Sequence, residues 1–449
     1  MGGSFSGATW EAWRAALSGA FGLPLSGKRL DAFKRLAGGR RPPQSQVREF
    51  YAVAGRRSAK SNVSAGVAVY LATVGAEQIL SRLSPGETPV VALLAVDRYQ
   101  ARVLSNYIGG ILENSPLLSR MVAKSGTEAI ELVNGVRIEV FTNNYRAVRG
   151  RTLLAVILDE CAFYRSDQTA SPDIETYRAV VPSLATTGGL LIGVSSPYAQ
   201  KGLLWQKHRQ HFGKSGDVLV VQGGTLDFNP TLPKRIIDEA MEDDPEAAKA
   251  EWLGQFRNDI ASFVQREVVD ACVIPGRYEL PFLSCNSYRA FCDPSGGSSD
   301  SMTLCIGHEE GQTIVIDAIR EAVPPFSPEA VVAEFSELMR EYRISRVEGD
   351  RYGGEWPRER FSVHRITYDV ARKPRTELYK DTLPLLNSKR VELLDNDRLV
   401  AQFCGLERRA GRAGRDAIDH APGANDDLCN AVAGLVASTK PKRKRAGTW

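Results

Sequence analysis

The stretch that decides the fold is Ala54-Gly55-Arg56-Arg57-Ser58-Ala59-Lys60-Ser61. An apolar run at residues 50–54 precedes it and predicts a strand, and residues 62–74 after it predict a helix. In this order of strand, glycine-containing loop and helix, backbone N–H groups and a helix N-terminus bind phosphate oxygens. We therefore predict a nucleotide phosphate loop made of Gly55, Arg56, Arg57, Ser58, Ala59, Lys60 and Ser61.

Lys60 and Ser61 have individual roles in this prediction. Lys60 is expected to contact the β- and γ-phosphates of ATP, and Ser61 is expected to ligate Mg²⁺. The usual spacing G-x-x-x-x-G-K-[ST] is only partly kept, because Ala54 and Ala59 occupy the two glycine positions. Alanine disfavours positive φ, so we expect a tighter or shifted loop. For this fragment alone, the alternative is an ordinary basic turn before a helix.

A second motif follows at Asp159-Glu160, directly after the continuous apolar run 153–158. Such a run is typical of a buried parallel strand. The carboxyl ends of parallel strands line the crevice where ligands bind in open α/β sheets. Asp159 is therefore predicted to ligate Mg²⁺, and Glu160 to orient or deprotonate the attacking water. The alternative for this pair alone is two solvated acids at a strand end.

Two further pairs of polar residues flank predicted strands of this first half. The apolar run 190–195 ends at Ser195-Ser196, which we predict to sense the γ-phosphate and pass its loss onward; a simple turn is the alternative. Gln44 and Gln46 lie just before the first strand, and their position makes them candidates for hydrogen bonding to adenine.

Three arginines precede the acid-ended strand and are candidates for an arginine finger that stabilises transition-state charge: Arg146, Arg149 and Arg151. We favour Arg149, and surface cations on a loop are the alternative. Asn134-Gly135 predicts a hairpin turn between two strands. Repeated alternation of strands and helices predicts an α/β domain with a mostly parallel sheet and helices on both faces.

The second half contains acids at three separate element boundaries: Asp293, Asp350 and the pair Asp426-Asp427. A strand–hairpin–helix–strand order can bring them to one end of a sheet. Two divalent metals, Mg²⁺ or Mn²⁺, bound by such carboxylates activate a water and stabilise a leaving oxygen in phosphodiester hydrolysis. We predict Asp293 and Asp350 as core ligands, Asp427 or Asp426 as the third, and Asp300 as a spare candidate. Solvated loop acids are the alternative.

Length and composition bound these predictions. A chain of 449 residues predicts two domains, which we place at residues 1–273 and 274–439, followed by a basic tail at 440–449. The net charge of +4 permits a polyanionic partner, and the arginine-rich stretch 408–415 is a candidate for DNA phosphate contacts. Seven scattered cysteines without a Cys-x-x-Cys pair favour neither structural zinc nor disulfides. No apolar run reaches the roughly 20 residues of a membrane span.

Taken together, the loop at 55–61, Asp159-Glu160, Ser195-Ser196 and the ordered acids of the second half resemble the large subunit of a tailed-bacteriophage terminase. The resemblance covers residues 10–437. It implies a P-loop ATPase domain that translocates double-stranded DNA, followed by an RNase H-like nuclease domain that cuts concatemers. It further implies a capsid portal protein and a small terminase subunit as partners. A homo-oligomeric ring docked transiently on the procapsid in the host cytoplasm is implied too, with a monomer in solution left open.

Two other functions stay open at this point. A helicase-like ATPase would have a second domain that binds nucleic acid without cutting it, and the acids of that domain would then be incidental. A non-catalytic nucleotide-binding scaffold is favoured only by the alanines in the loop. Metal binding at Asp293, Asp350 and Asp427 distinguishes the first alternative, and ATP turnover distinguishes the second.

Overall fold

The computed structural model describes residues 5–81, 83–126, 129–142, 148–165, 172–298, 300–351, 355–409 and 416–439. They form two compact units, and the chain passes from the first to the second between Asp259 and Ile260. The boundary that we predict at 273/274 lies further along the chain and remains a prediction. Of the helices in the described ranges, none combines the length and the apolar character that crossing a bilayer requires.

The first unit contains the following elements in chain order: α1 Glu11–Ala20, α2 Gly27–Leu36, β1 Glu49–Ala54, α3 Lys60–Ala72, α4 Glu77–Leu80, β2 Pro89–Ala95, α5 Arg98–Glu113, α6 Pro116–Ser119, β3 Val122–Ser125, β4 Ala129–Leu132, β5 Arg137–Thr142, β6 Thr152–Asp159, α7 Pro172–Thr187, β7 Leu190–Ser195, α8 Gly202–His211, β8 Val218–Gly223, α9 Thr225–Phe228, α10 Lys234–Asp243 and α11 Pro245–Leu253.

The strands of the first unit form one sheet in the order β3-β4-β5-β2-β6-β7-β1-β8. From β5 to β8, every neighbouring pair is parallel. The antiparallel β3 and β4 extend the β5 edge, and the predicted turn at Asn134-Gly135 joins β4 to β5. The mostly parallel sheet predicted from the alternation of strands and helices is therefore confirmed.

Side chains of β1 alternate between two apolar cores, one on each face of the sheet. Phe50 and Ala52 pack in the core that includes α1, α3 and α5, while Tyr51 and Val53 pack in the core that includes α7 and α8. Every residue of β1 is buried. Because both faces are covered, the sequence of this strand is a continuous apolar run rather than an alternating one.

The N-terminal helix differs in one detail from its predicted form. The spacing of apolar residues predicts a helix over 10–21 with Thr9 as its cap. Instead a 3₁₀ turn, Ala8–Trp10, precedes α1, so Thr9 lies inside that turn and Trp10 occupies the capping position without a side-chain hydrogen bond. Trp13 is buried, and its indole Nε1 donates to the carbonyl of Ser58 at 2.7 Å. Helix α1 is thereby bonded to the predicted phosphate loop.

The second unit contains the following elements in chain order: β9 Ile260–Ser262, α12 Arg266–Asp270, β10 Tyr288–Asp293, β11 Met302–Glu310, β12 Thr313–Ala322, α13 Pro328–Glu341, β13 Arg346–Gly349, α14 Trp356–Val363, β14 Thr367–Val370, α15 Arg375–Asn387, β15 Val391–Glu392, α16 Asp397–Gly405, β16 Leu406–Arg409, β17 Ala417–His420 and α17 Asp427–Ser438.

The main sheet of the second unit has the strand order β14-β13-β10-β11-β12-β15. Strands β10, β11 and β12 are successive antiparallel neighbours, and β13 and β14 then add in parallel beside β10. Three antiparallel strands followed by parallel strands on the far side of the first one are the arrangement expected for an RNase H-like domain. Helix α17 is almost wholly buried against β10 and β11, which brings its first turn to the end of β10.

Candidate functional site

The phosphate loop occupies the position predicted for it, between β1 and α3. Strand β1 ends at Ala54, and α3 begins at Lys60, two residues earlier than the apolar pattern indicates. Lys60 is almost completely buried. Its Nζ donates to Ser196 Oγ at 2.8 Å and to the loop carbonyl of Gly55 at 3.1 Å. The ammonium group therefore points back over its own loop.

The two acids of the second motif contact the first residues of α3. Glu160 Oε1 lies 3.2 Å from Lys60 Nζ. Asp159 accepts hydrogen bonds from Ser61 Oγ at 3.0 Å and from Ser64 Oγ at 3.4 Å. A hydroxyl and a carboxylate side by side at the start of this helix are the pair of hard oxygen donors that fit one Mg²⁺. The predicted proximity of Ser61 and Asp159 is thus present in the structure. The sequence analysis missed Ser64, although it follows Ser61 by one helical turn.

Ser195 and Ser196 meet Glu160 from the neighbouring strand β7. Glu160 Oε2 accepts from Ser195 Oγ at 3.1 Å and from the backbone N–H of Ser196 at 3.0 Å. Ser196 Oγ in turn accepts from Lys60. One carboxylate therefore contacts both the loop lysine and the residues at the end of β7.

The loop compensates for its alanines in a way that the sequence does not reveal. Ala59 adopts a left-handed conformation with φ of 62°, and Arg57 does so with φ of 61°. Gly55 has no positive φ; a Cβ at that position would lie 2.5 Å from Thr225 Oγ1 and 2.7 Å from the carbonyl of Trp252. The single glycine of the loop is thus required for close backbone approach, while the left-handed turn falls on Ala59.

We expect the substitution Ala59→Gly to stabilise the protein by up to about 1 kcal/mol, since a left-handed alanine costs roughly 1–2 kcal/mol and the greater freedom of glycine in the unfolded chain offsets part of that gain. Thermal unfolding measures the gain, which should be about 2–4 °C. Ala54→Gly is the matched control. Ala54 lies buried in β1, where glycine should cost about 0.5–1 kcal/mol. A loss of stability in Ala59→Gly that equals the loss in Ala54→Gly would contradict the strained-loop interpretation.

Burial changes the acid–base properties of the magnesium candidate. Desolvation, and next the neighbouring Glu160 carboxylate, raise the pKa of Asp159 from 3.8 to about 7. The hydrogen bonds from Ser61 and Ser64 act in the opposite direction. Burial disfavours the ionised form of this carboxylate, and a nearby cation would favour it. A divalent metal ion bound by Asp159 would supply such a charge.

The remaining residues predicted for the ATP site differ in their surroundings. Arg56 pairs with Glu251 at 3.1 Å. Arg151 pairs with Glu139 and lies over the ring of Phe141. Arg149 is exposed, and so are Gln44 and Gln46, the candidates for adenine binding. Arg146 lies outside the described residues. The finger and adenine assignments therefore remain predictions.

In the second unit, Asp293 and Asp350 come together at the ends of the neighbouring parallel strands β10 and β13. The amide Nδ2 of Asn430 donates to Asp293 Oδ2 at 2.8 Å and to Asp350 Oδ2 at 2.9 Å. Burial, and next the Asp350 carboxylate, raise the pKa of Asp293 well above its ordinary value. Sequence reasoning missed Asn430. The available signal was a lone amide inside the otherwise apolar run 428–436 of α17.

The two adjacent acids at the start of α17 have different environments. Asp426 accepts from Arg375 Nη1 at 3.0 Å and from Tyr379 OH at 2.7 Å. Its carboxylate is therefore neutralised within the protein and does not cap α17, the role that its position before the helix predicts. Asp427 is less buried and accepts from the backbone N–H of Ser301 at 3.3 Å. Of the two, Asp427 has the more open carboxylate.

The carboxylates of this second site only partly meet the requirements of a metal-binding site in their observed positions. Within the described ranges, no three His, Cys, Asp or Glu side chains are placed to hold one ion. Asp293, Asp350 and Asp427 nevertheless interact electrostatically, since the charges of both other acids raise the pKa of Asp293. Hard carboxylate oxygens near one another fit Mg²⁺ or Mn²⁺. Asp300, the spare candidate, lies in the same neighbourhood, because its charge contributes to the raised pKa of Asp427.

The arginines proposed for DNA phosphate contacts are only partly described. Arg408 pairs with Asp416, and Arg409 with Glu407 at 3.3 Å, so both have intramolecular partners. The rest of the basic candidates lie outside the described residues: Arg412, Arg415 and the tail 440–449.

Raised carboxyl pKa values predict how stability depends on pH. Burial, and next Asp426, raise the pKa of Asp427 from 3.8 to about 6, and that of Asp159 is about 7. A carboxyl whose pKa is higher in the folded state adds stability that is complete below its unfolded value and is lost as pH rises through the folded value. In EDTA, the full chain should therefore lose stability between about pH 5 and about pH 8.

Thermal unfolding in EDTA at both pH values measures this loss. Asp427→Asn and Asp159→Asn should each reduce it, because the asparagine does not titrate. The prediction fails if both variants show the same pH dependence as the unsubstituted protein.

Part of the first unit is similar to a known protein family. Residues 33–191 match the sequence-family model described as "Terminase large subunit, ATPase domain". No curated protein matches the chain. The match contains the phosphate loop, the acid pair and the first two residues of β7; it ends before Ser195 and Ser196.

Several solved structures are similar to the chain. The large terminase of bacteriophage HK97 is 16% identical, with 95% of this chain and 99% of that chain covered and a TM-score of 0.40. A large terminase from a thermophilic bacteriophage is 12% identical, with 95% and 98% covered and a TM-score of 0.40. The large terminase nuclease of the thermophilic phage G20c with bound magnesium is 14% identical, with 37% and 93% covered and a TM-score of 0.34. The residues matched by the family model include the predicted phosphate loop and its acid pair, so this part of the chain is similar to the ATPase domain of terminase large subunits.

Proposed function

We propose that this chain uses ATP hydrolysis to translocate double-stranded viral DNA into a procapsid and cuts concatemeric DNA with a metal-dependent nuclease domain. The observation that carries the first activity is the convergence of Lys60, Glu160 and Ser196 at one edge of a parallel sheet. The pairing of Asp293 with Asp350 supports the second. We propose residues 1–273 as the ATPase domain, 274–439 as the nuclease domain and 440–449 as a basic tail.

In the ATPase site, Lys60 and the loop Gly55–Ala59 bind the phosphates of ATP, and Ser61 with Asp159 would hold Mg²⁺, which neutralises phosphate charge when bound. Glu160 orients the attacking water and accepts its proton. Ser195 and Ser196 couple this site to β7, because both bond to Glu160 or Lys60. The roles proposed for the remaining residues rest on position alone: Arg149 as arginine finger, and Gln44 and Gln46 at adenine.

In the nuclease site, Asp293, Asp350 and Asp427 would hold divalent metal, either Mg²⁺ or Mn²⁺, with two ions as the proposed stoichiometry. Asp426 is the weaker candidate, since Arg375 and Tyr379 already occupy its carboxylate. When bound, the metals supply an activated water and charge stabilisation for the leaving oxygen. The side chains of the site orient the scissile phosphate near β10.

The proposed partners are double-stranded DNA, a capsid portal protein and a small terminase subunit. The chain would act as a homo-oligomeric ring docked on the procapsid in the host cytoplasm. A closed ring needs head-to-tail contacts, so the ring proposal is tested by mass measurement with and without portal protein.

The helicase-like alternative has one observation in its favour, since within the described ranges no three candidate ligands are placed around one ion. Paired substitutions decide between the two functions. Lys60→Ala should abolish DNA-stimulated ATP hydrolysis and displacement of a third strand from linear duplex DNA, while Mn²⁺-dependent cleavage of supercoiled plasmid continues. Asp350→Ala should show the opposite pattern.

The outcomes are separable. Full plasmid cleavage by Asp350→Ala, with no Mn²⁺ bound in calorimetry, would remove the nuclease assignment and favour the helicase-like function. Absence of ATP turnover by the unsubstituted chain, with DNA and with portal protein, would favour the scaffold function.

A further inference from the structure

The side chain of Asn430 lies between the two paired carboxylates of the second unit. It belongs to the second turn of α17, where its neighbours are apolar, and only 1% of its surface is exposed. Its Nδ2 donates to Asp293 at 2.8 Å and to Asp350 at 2.9 Å. A primary amide has two N–H groups, so each carboxylate receives one. A single neutral donor therefore connects two acids that would otherwise repel each other.

The other end of this amide is unusual. Among the described residues, Asn430 Oδ1 is buried without a hydrogen-bond partner. Buried polar atoms are normally paired, because an unpaired one loses its hydration and gains nothing. Helix α17 thus retains an asparagine at a position where the apolar core would favour a leucine or alanine. The hydrogen bonds from Nδ2 to the two carboxylates offset the cost of burying this unpaired oxygen.

We propose that Asn430 is a positioning residue of the nuclease metal centre: its amide takes the place of a cation, so that Asp293 and Asp350 stay side by side before metal binds. The inference rests on the proposed nuclease function. A purely structural amide would bond to backbone groups, as Gln402 does when it accepts from the N–H of Cys429 at 3.0 Å. Asn430 instead directs both of its donors to the proposed metal ligands.

Two substitutions separate the consequences. In Asn430→Ala the donor is lost, and the metal-free protein should become less stable because the two acids face each other without compensation. A bound cation supplies that compensation, so Mn²⁺ should recover most of the loss. In Asn430→Asp a third carboxylate replaces the donor. The metal-free protein should then be the least stable of the series, and the added charge should tighten Mn²⁺ binding about tenfold.

The experiment uses the full chain. Thermal unfolding is measured in EDTA and in Mn²⁺, and calorimetric titration gives the dissociation constant of Mn²⁺. Gln402→Ala is the matched control, because it removes a buried amide that bonds to the backbone of the same helix and should lower the melting temperature equally in EDTA and in Mn²⁺. Should Asn430→Asp fail to fold without metal, Asn430→Ala still gives the comparison.

Support requires that the stability loss of Asn430→Ala shrinks in Mn²⁺ while that of Gln402→Ala does not. Equal losses in both conditions, with an unchanged Mn²⁺ dissociation constant, would overturn the inference and leave the nuclease function intact. If Mn²⁺ changes neither the unsubstituted chain nor any variant, the nuclease function itself is refuted and this inference falls with it.

Discussion

Replacing Glu160 with glutamine is expected to reduce ATP hydrolysis by about 10²–10⁴-fold, the usual contribution of a positioned general base. Glutamine keeps the shape of the side chain and can still accept from Ser195 and from the backbone of Ser196. It loses the negative charge that faces Lys60 Nζ at 3.2 Å and can no longer accept a proton. Steady-state phosphate release with DNA present measures the effect, and binding of a fluorescent ATP analogue should change by only a few-fold.

The matched control is Glu175→Gln, in which a partly exposed carboxylate of α7, far along the chain from the loop, is neutralised. It should retain turnover. If Glu160→Gln hydrolyses ATP at the rate of this control, Glu160 is not the base and its bond to Lys60 is structural. If nucleotide binding is lost together with turnover, the carboxylate serves to shape the loop rather than to act on water.

A second large effect is expected from Asp293→Asn, which should abolish plasmid cleavage and yet raise the stability of the metal-free protein. Cleavage should fall by about two orders of magnitude or more, because a metal centre supplies several kcal/mol of transition-state stabilisation. Stability should rise at neutral pH, since burial and Asp350 raise the pKa of Asp293 and its ionised form opposes folding. Thermal unfolding in EDTA should show a gain of about 2–4 °C, equivalent to about 1 kcal/mol.

Asp369→Asn is the control for this experiment, because Asp369 lies at the surface of β14 and pairs with Arg346 at 3.0 Å. It should leave both cleavage and melting temperature nearly unchanged. A fall in the melting temperature of Asp293→Asn would show that the carboxylate stabilises the fold, and would argue against a site kept under electrostatic strain for metal binding. Unchanged cleavage would remove Asp293 from the nuclease site.

Local sequence patterns predicted most of the first unit, because the signals for each of its strands and helices lie within a few residues. The apolar run 153–158, which ends in two acids, is typical of a buried parallel strand, since burial on both faces favours such a run. Lys60 and Ser61 are likewise adjacent in the chain, so their relation to a helix N-terminus follows from sequence spacing. The way in which Ala59 takes the left-handed turn, while Gly55 is needed for contact with Thr225, depends on packing from α9 and α11.

The candidate site of the second unit was harder to predict from the sequence, because its acids are far apart along the chain and each alone resembles a turn residue. Their order along the chain indicated a shared sheet end, which the strand arrangement β12-β11-β10-β13-β14 provides. The sequence offered no means of separating Asp426 from Asp427. Arg375 and Tyr379, which lie 51 and 47 residues before Asp426, decide that difference by bonding to one carboxylate and leaving the other open.

By itself, the sequence identified the candidate residues for each chemistry: a lysine and hydroxyl at one helix start, two acids at one strand end, and aspartates in a fixed order later on. These follow from short-range rules of periodicity and turn formation. Only the tertiary structure decided how their charges are balanced, with Glu160 on Lys60, Arg375 on Asp426 and the Asn430 amide between Asp293 and Asp350. Charge balance depends on distances of a few ångströms between elements far apart in the chain, and no local pattern encodes those distances.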